Sequence, residues 1–221
     1  MGKLVYDGKS VYEIDEDCLR KKEERERQEQ RMKEEEQLLY VRRLKAAGIQ
    51  ERHLQDWTFA SATDTPSIQM AKRYTENWKK VKAENLGLLL WGDVGTGKSF
   101  LAACIANALL EKGVPVLMTN FSKILNQMGA MYSDERYRYI ASFNRFSLLI
   151  IDDLGTENLT PFVISQLFHV INSRDLSRKT TIISTNLSPE ELQSTYTERI
   201  SSRLMGQYTP IPVFGEDLRN S

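Results

Sequence analysis

Four short runs of apolar residues alternate with segments of helical periodicity in the C-terminal two thirds of the chain. Continuous apolar runs of this length are typical of strands buried on both faces of a parallel sheet. The runs lie at 86–91, 114–119, 148–152 and 181–184, and the helical segments at 99–112, 121–128 and 160–173. This alternation predicts an α/β fold, a parallel sheet flanked by helices, with ligand bound at the carboxyl ends of the strands.

An amphipathic segment precedes the first of these strands. Thr65 followed by Pro66 predicts a helix start, with threonine at the N-cap and proline at N1. Apolar residues then recur at spacings of three and four, at Ile68, Ala71, Tyr74, Trp78 and Val81. We interpret this stripe as one helix that packs against the core rather than as a cofactor contact.

The first 47 residues have a different pattern. The pair Asp7-Gly8 lies between two short β-prone segments, which predicts a hairpin. Residues 16–47 are rich in Glu, Lys, Arg and Gln, and residues 20–31 contain no apolar side chain. This tract predicts an exposed helix, supported by ion pairs such as Glu23 with Arg27 and Glu29 with Lys33. It is either a solvated spacer or a docking arm whose apolar cluster is Leu38, Leu39, Val41 and Leu44. We therefore divide the chain into an arm, 1–47, and a domain, 48–221.

Composition narrows the class of protein. Apolar residues make up 41% of the 221, enough for a core. Lys plus Arg and Asp plus Glu each number 30, so any contact with DNA has to come from a local patch. The two cysteines, Cys18 and Cys104, have neither a disulfide framework nor zinc spacing. No apolar stretch approaches the roughly 18 residues of a membrane span, and a reduced cytoplasmic protein is expected.

The segment between the first strand and its helix carries the strongest motif. Residues 92–99 match G-x-x-x-x-G-K-[ST], whose backbone N–H groups cradle phosphates at a helix N-terminus. Lys98 is expected to span the β- and γ-phosphate oxygens of ATP, and Ser99 to hold Mg²⁺. The predicted nucleotide-binding residues are Gly92, Asp93, Val94, Gly95, Thr96, Gly97, Lys98, Ser99 and Phe100.

The strand at 148–152 ends in two carboxylates, the form of a Walker B segment. Asp152 is expected to hold Mg²⁺, directly or through water. Asp153 stands where many related ATPases have a glutamate that polarises the attacking water, and Glu157 is an alternative base. Because aspartate is one methylene shorter, we expect slow hydrolysis, below the enzyme median of roughly 10 per second.

Three further polar residues follow later in the chain. Asn186 ends the strand segment 181–186, where it is expected to orient the lytic water or touch the γ-phosphate, and it also starts the turn before a capping box at 188–191. Arg199 and Arg203 lie four residues apart on one predicted helical face. Neither is expected to reach its own subunit's nucleotide, but one can enter a neighbour's site as an arginine finger.

Four of these segments together resemble the AAA+ helicase loaders of the DnaC/DnaI type, and equally the IstB-type transposition helper ATPases. They are 93–99, 148–155, 184–192 and 199–204, and the resemblance extends over about 48–221. It implies a P-loop ATPase that lacks a C-terminal helical lid, binds single-stranded DNA, assembles with its neighbours and delivers a hexameric replicative helicase through its N-terminal part. It also favours Arg203 over Arg199 as the finger, with Arg219 as a partial substitute for a lid arginine. The cysteines of the zinc domain that some loaders carry are missing, so the arm must dock the helicase by other means.

Aromatic and basic residues interleave at 128–145. Stacking on aromatic rings tolerates any base sequence, which suits single-stranded DNA, although such rings also fill ordinary cores. The candidates are Tyr132, Arg136, Tyr137, Arg138, Tyr139, Phe143 and Arg145.

Three other functions share parts of this pattern. A transposition helper keeps the fold and exchanges the partner. A small-molecule phosphotransferase would need an acceptor pocket and usually an arginine-bearing lid, and no such insertion follows Asp153. An ATP-gated scaffold that scarcely hydrolyses ATP is compatible with the shorter side chain of Asp153.

Overall fold

The structure is a computed structural model that describes residues 3–6, 11–14 and 16–215. The chain divides into two units, Met1–Arg42 and Arg43–Ser221. The strands are β1 (Lys3–Tyr6), β2 (Val11–Ile14), β3 (Gly87–Trp91), β4 (Val116–Asn120), β5 (Leu148–Leu154), β6 (Thr180–Thr185) and β7 (Tyr208–Pro212). The helices are α1 (Glu16–Gly48), α2 (Arg52–Gln55), α3 (Pro66–Glu76), α4 (Trp78–Glu84), α5 (Lys98–Glu111), α6 (Phe121–Gly129), α7 (Ser133–Ser142), α8 (Pro161–Leu176), α9 (Pro189–Thr195) and α10 (Glu198–Gln207).

In the N-terminal unit, β1 and β2 pair antiparallel, with Leu4 opposite Glu13. The predicted hairpin strands are therefore present, while the Asp7-Gly8 turn lies outside the described residues. The predicted helix is also present, and both expected ion pairs form, Arg27 with Glu23 at 3.2 Å and Lys33 with Glu29 at 2.6 Å. Exposed pairs of this kind stabilise a helix only slightly, because water and salt screen the two charges.

The second unit is built on five parallel strands in the order β4-β5-β6-β3-β7. Alternate residues of β3 face opposite layers, because successive side chains of a strand point to opposite faces. Leu88 and Leu90 pack with α3, α4 and α5, whereas Leu89 packs with α6, α8 and α10. The predicted parallel sheet covered by helices on both faces is confirmed.

Strand β7 departs from the prediction, because no strand is expected at 208–212. Pro210 and Pro212 have no backbone N–H and make the segment resemble a loop in sequence. Among the described strands, β7 pairs only with β3, with Pro210 opposite Leu89 and Pro212 opposite Trp91. An edge strand tolerates such prolines because one of its sides needs no partner.

The single amphipathic helix expected after Thr65 is divided at Asn77. Thr65 caps α3 as predicted, its hydroxyl accepting from Ile68 N at 3.3 Å. At Asn77, however, the side-chain amide donates to the Arg73 carbonyl at 2.9 Å. Asparagine competes with the helical backbone in this way, which explains the break between α3 and α4.

One charged side chain is entirely buried beneath the sheet. Arg174 of α8 has no exposed surface, and its guanidinium donates to Phe143 O at 2.8 Å, Phe146 O at 2.9 Å, Thr181 Oγ1 at 3.2 Å and the Thr180 carbonyl. Burial lowers its pKa to about 10, so it stays charged at neutral pH. Arg174 thereby ties α8 to β6 and to the 3-10 turn before β5.

None of the described helices is long and apolar enough to span a membrane.

Candidate nucleotide-binding site

The glycine-rich loop connects β3 to the N-terminus of α5. Gly92 has φ 147°, and a Cβ there would lie 2.4 Å from the Val213 carbonyl oxygen, so only glycine fits against the chain that follows β7. Gly97 has φ 91° and is the N-cap of α5. Left-handed conformations of this kind turn successive backbone N–H groups toward one point at a helix N-terminus, where an anion binds.

Lys98 is buried at the start of α5 and its ammonium lies inside the loop. Its Nζ donates to Gly92 O at 2.8 Å and to Asp93 O at 2.6 Å. The Thr96 hydroxyl also donates to Asp93 O, at 2.9 Å. The loop is therefore held closed by its own side chains, with the lysine charge at its centre.

Ser99 and Asp152 meet at the carboxyl edge of the sheet. The Ser99 hydroxyl donates to Asp152 Oδ1 at 3.1 Å, and the Ser184 hydroxyl donates to the same oxygen. Ser184 also accepts from Asp153 N at 2.9 Å. Strand β6 lies between β3 and β5, so Ser184 links the glycine loop to the acidic strand end.

The Asp152 carboxyl lies in an environment that disfavours its charge. Burial raises its pKa above the usual range, nearby Asp153 and Glu51 add to this rise, and the hydrogen bonds from Ser184 and Ser99 oppose it. A cation at this carboxyl would relieve that penalty. One carboxylate and a serine hydroxyl suit Mg²⁺, which is usually held by one or two carboxylates plus substrate phosphates. Within the described part of the chain, no cluster of three or more His, Cys, Asp or Glu that could hold a metal is found.

Asp153 occupies a left-handed backbone position, φ 57°, where the pairing of β5 with β6 shifts register. Such a bulge re-aims a side chain. Its exposed carboxylate accepts from Asn186 Nδ2 at 3.2 Å, so the two residues predicted to handle the lytic water are in contact. Glu157 instead accepts from Tyr196 OH at 2.8 Å and from Gly155 N at 3.1 Å, which makes it a poorer base.

A cavity of about 700 Å³ brings these groups together. Lys98, Ser99, Asp152, Asp153 and Asn186 all line it. Residues that the sequence analysis did not assign to the site complete its wall, namely Gln50, Glu51, His53, Trp57 and Lys123. Glu51 and Lys123 form an ion pair there. The segment after α1 reaches the site because Ile49 bridges to Met118 at the β4 edge, a tertiary contact with no local sequence signal.

A second cavity, about 260 Å³, adjoins the glycine loop. The cavity is lined by residues of the glycine loop and α5, by the segment before α3 and the start of α3, and by the chain after β7. The lining residues include Thr96, Gly97, Phe100, Ile68, Val213 and Phe214. Such a cavity, mostly apolar and next to a phosphate loop, is suited to a flat nucleobase.

The two arginines are placed as expected, one turn apart on α10, and neither lines the nucleotide cavity. Both guanidinium carbons lie over the Phe168 ring, Arg203 at 4.7 Å and Arg199 at 5.4 Å from its centroid. Arg219 lies outside the described residues.

The aromatic-basic segment splits into two groups. Tyr132 and Tyr137 are 82% and 76% exposed, and Arg138 is exposed beside them on α7. Tyr139 and Phe143 pack on each other at 4.9 Å, and Phe143 is buried in the core. Of the other two candidates, Arg145 is exposed and Arg136 is half-buried with its guanidinium over the Phe162 ring. The first group and these two arginines are therefore accessible to a ligand.

Comparison with known proteins gives one family. The model described as "IstB-like ATP binding protein" matches residues 6–220. The chain is 26% identical to the replicative helicase loader DnaI of Bacillus subtilis over 99% of this chain and 72% of that relative. It is 26% identical to the replicative helicase loader DnaC of Escherichia coli K12 over 62% of this chain, and it spans only 56% of that relative.

Solved structures agree in fold. A crystal structure of the DnaC helicase loader matches with a TM-score of 0.66 and 20% identity, over 74% of this chain and 100% of that one. A crystal structure of DnaI matches with a TM-score of 0.62 and 22% identity, over 79% of this chain and 98% of that one. A structure of the replication initiator DnaA bound to AMPPCP and single-stranded DNA matches with a TM-score of 0.62 and 19% identity, over 74% of this chain and 51% of that one. The predicted P-loop AAA+ fold is thus confirmed.

Proposed function

From the premise that this chain belongs to the IstB-like ATP binding proteins, we propose that it is a Mg²⁺-dependent ATPase that loads a hexameric replicative DNA helicase onto single-stranded DNA. The hydrogen bond between Ser99 and Asp152 carries the ATPase part, because it joins the phosphate loop to an acidic strand end. The relation to DnaI along 99% of the chain supports the loader part.

ATP binds with its phosphates in the glycine loop and its base in the adjoining smaller cavity. The α5 N-terminus and Lys98 supply positive charge to the phosphates. Phe100 and Ile68 offer apolar surface to the base. The adjacency of the two cavities, which share Gly97 and Phe100, supports this mode of binding.

Hydrolysis then depends on residues at the ends of β5 and β6. Bound Mg²⁺ would neutralise charge on the phosphates. Ser99 and Asp152 are the residues that would hold it. Asp153 orients and partly deprotonates the attacking water, and Asn186 fixes the Asp153 carboxylate by the 3.2 Å contact. With its shorter side chain, Asp153 makes turnover slow, below about 10 per second.

Assembly completes the site. Arg203 acts on the nucleotide of a neighbouring subunit, where a guanidinium offsets charge that develops on the γ-phosphate. Arg203 does not line the nucleotide cavity of its own subunit, which supports a role in the site of a neighbouring subunit.

Single-stranded DNA binds through the exposed group formed by α7 and its N-cap residue Tyr132. The rings of Tyr132 and Tyr137 are available for stacking, and Arg138 for phosphate contact. Stacking on such rings contributes about 1–3 kcal/mol per base.

The arm, 1–47, docks the helicase. Three consecutive apolar residues of α1, Leu38, Leu39 and Tyr40, are each about half exposed. Exposed apolar side chains grouped on an otherwise charged helix are typical of a protein contact. They favour docking over a simple spacer.

Mass photometry of the chain with a hexameric replicative helicase of its host tests the loader function. We expect a complex whose mass increases by whole copies of this chain and which changes between ATP and no nucleotide. The variant L38E/L39E should lose the complex, whereas E23K/R27E, which exchanges an exposed ion pair on the same helix, should keep it. Absence of any complex with the helicase would overturn the loader function.

The family match favours one second candidate, a transposition helper, since the family is described as IstB-like. Its fold and ATP site would be the same. A pull-down on the full chain separates the two functions, because a loader retains a hexameric helicase and a helper retains a transposase.

A further inference from the structure

The Arg203 guanidinium is held by three neighbours within its own subunit. Its NH1 donates to the Arg199 carbonyl at 3.1 Å, and its NH2 donates to Asn172 Oδ1 at 3.2 Å. Its carbon lies 4.7 Å from the centroid of the Phe168 ring. Phe168 and Asn172 lie one turn apart on α8, so one helix provides both a stacking surface and an acceptor.

We infer that Phe168 and Asn172 are positioning residues that hold Arg203 ready to enter the nucleotide site of a neighbouring copy of this chain. The inference rests on the trans role of Arg203 proposed above. Neither residue touches the nucleotide cavity of its own subunit, so both act through the arginine.

Ordering a long side chain costs conformational entropy. A free arginine loses rotamer entropy when it is fixed on a ligand. Stacking on Phe168 and the hydrogen bond to Asn172 restrict the Arg203 side chain before assembly, so part of that entropy is already lost. A preorganised group stabilises a transition state more than a mobile one does. Stacking uses the face of the guanidinium, while its N–H donors lie in the guanidinium plane and can reach a phosphate.

The contacts also separate the two candidate arginines. Arg199 shares the Phe168 ring at 5.4 Å, but its side chain is exposed. Arg203 is partly buried, has the Asn172 bond, and is attracted by the Asp175 carboxylate, one turn beyond Asn172 on α8. This set of contacts assigns the finger to Arg203, with Arg199 supplying the carbonyl that holds it.

Mixed assemblies of two disabled chains test the inference. K98A removes the phosphate lysine and leaves a subunit that can only donate its arginine. R203A leaves a subunit that can only supply a nucleotide site. An equimolar mixture of the two, at concentrations that permit assembly and without DNA, should recover ATP turnover that neither has alone.

The substitution F168L is then placed on one partner at a time. On the K98A subunit, which donates the arginine, it should lower kcat of the mixture about five- to tenfold with little change in KM. On the R203A subunit it should add no further loss, because the arginine that Phe168 positions is already absent. N172A should show the same asymmetry, and F168W, which keeps an aromatic face, should restore most of the turnover.

A matched control is available on the same helix. The Arg136 guanidinium carbon lies 5.2 Å from the centroid of the Phe162 ring. F162L therefore also removes a cation–ring contact from α8, but it leaves the contacts of Arg203 unchanged. It should change turnover equally little on either partner. Loss of turnover with F168L on both partners alike, or on neither, would overturn the positioning role. A mixture of K98A and R203A that stays inactive would overturn the trans role itself, and the positioning role with it.

Discussion

The Ser99 hydroxyl donates to the Asp152 carboxylate across 3.1 Å, although 53 residues separate them in the chain. Ser99 lies in the first turn of α5, directly after the phosphate loop, and Asp152 lies near the carboxyl end of β5. The contact exists because β3, β6 and β5 are neighbours and parallel, so their carboxyl ends share one edge. A ligand held by the loop therefore lies against the acidic strand end without any rearrangement of the sheet.

Lys98→Ala should abolish measurable nucleotide binding. The lysine is buried within the loop, and its charge is the main attraction for the triphosphate beyond the backbone N–H groups. Isothermal titration calorimetry with ATP and Mg²⁺ measures the loss. K80A removes an exposed lysine of α4 and should bind ATP as the unmodified chain does. Retained affinity in a folded K98A protein would contradict the phosphate-loop assignment.

Asp153→Asn should lower kcat at least about 100-fold with ATP affinity retained, as expected for loss of a general base. Asparagine tolerates the left-handed backbone of this position, so the change removes charge without adding strain. A steady-state phosphate-release assay gives kcat, and a fluorescent ATP analogue gives the affinity. The matched variant E157Q should reduce kcat much less, because Glu157 is bound to Tyr196. The reverse order of effects would assign the base to Glu157.

The sequence predicted four of the five parallel strands because each contains a short apolar run, and three of them, β3, β5 and β6, are buried on both faces. Motif spacing also identified Lys98, Asp152, Asp153 and Asn186, which the structure places in one cavity. The resemblance to DnaC/DnaI-type and IstB-like proteins is confirmed by the family and its relatives. These features depend on local patterns that can be read from one sequence.

What the sequence did not predict depends on long-range packing. Strand β7 has two prolines, and only its place at the sheet edge makes them acceptable. Glu51 and Lys123 lie 72 residues apart and become partners only once the segment after α1 bridges to β4. The division between exposed Tyr137 and buried Phe143 likewise follows from how α7 packs on the core, since both residues look alike in sequence.

Charge reversal in α7, R136E/R138E, should weaken binding of single-stranded DNA. Each lost phosphate contact reduces the slope of log affinity against log salt by about 0.7 for a single strand. Fluorescence anisotropy with a labelled oligonucleotide at several salt concentrations measures both quantities. The variant R73E/K80E changes net charge equally on α3 and α4 and should keep the original slope. An unchanged affinity and slope for R136E/R138E would place the DNA site elsewhere.

Arg174→Met should destabilise the domain without affecting the nucleotide site directly. The substitution removes a fully buried donor and leaves the Phe143 and Phe146 carbonyls without it, at a cost of about 3 kcal/mol or more. For a chain of this length, the Tm should fall by about 6–12 °C in a thermal melt. R73M, the same change at an exposed position, should shift it by less than about 2 °C. A melt of R174M that matches the unmodified chain would show that the buried guanidinium does not hold α8 to the sheet.

Asp175→Asn should stabilise the protein increasingly as the pH rises from about 4 to about 7. Burial raises the pKa of Asp175 to about 6, against the opposing charges of Arg203 and Arg174. The folded protein therefore binds this proton more tightly than the unfolded chain, and its contribution to stability is full below about 4 and lost as the pH passes 6. Asparagine imitates the neutral carboxyl at every pH. Because Asp175 is only partly buried, we expect a gain of about 1–2 kcal/mol at pH 7, which raises the Tm by about 3–6 °C.

Thermal melts of D175N and the unmodified chain across this pH range measure the difference, with D134N, at an exposed aspartate of α7, as the control for removal of one negative charge. A gap in Tm that widens with pH for D175N alone identifies the buried carboxyl as its source. A constant gap would mean that burial and the attraction to Arg203 and Arg174 balance at this position, and a gap that narrows with rising pH would mean that the attraction outweighs burial. In that case the Asp175 carboxylate would be a stabilising partner of Arg203, and D175N would lower the Tm at pH 7.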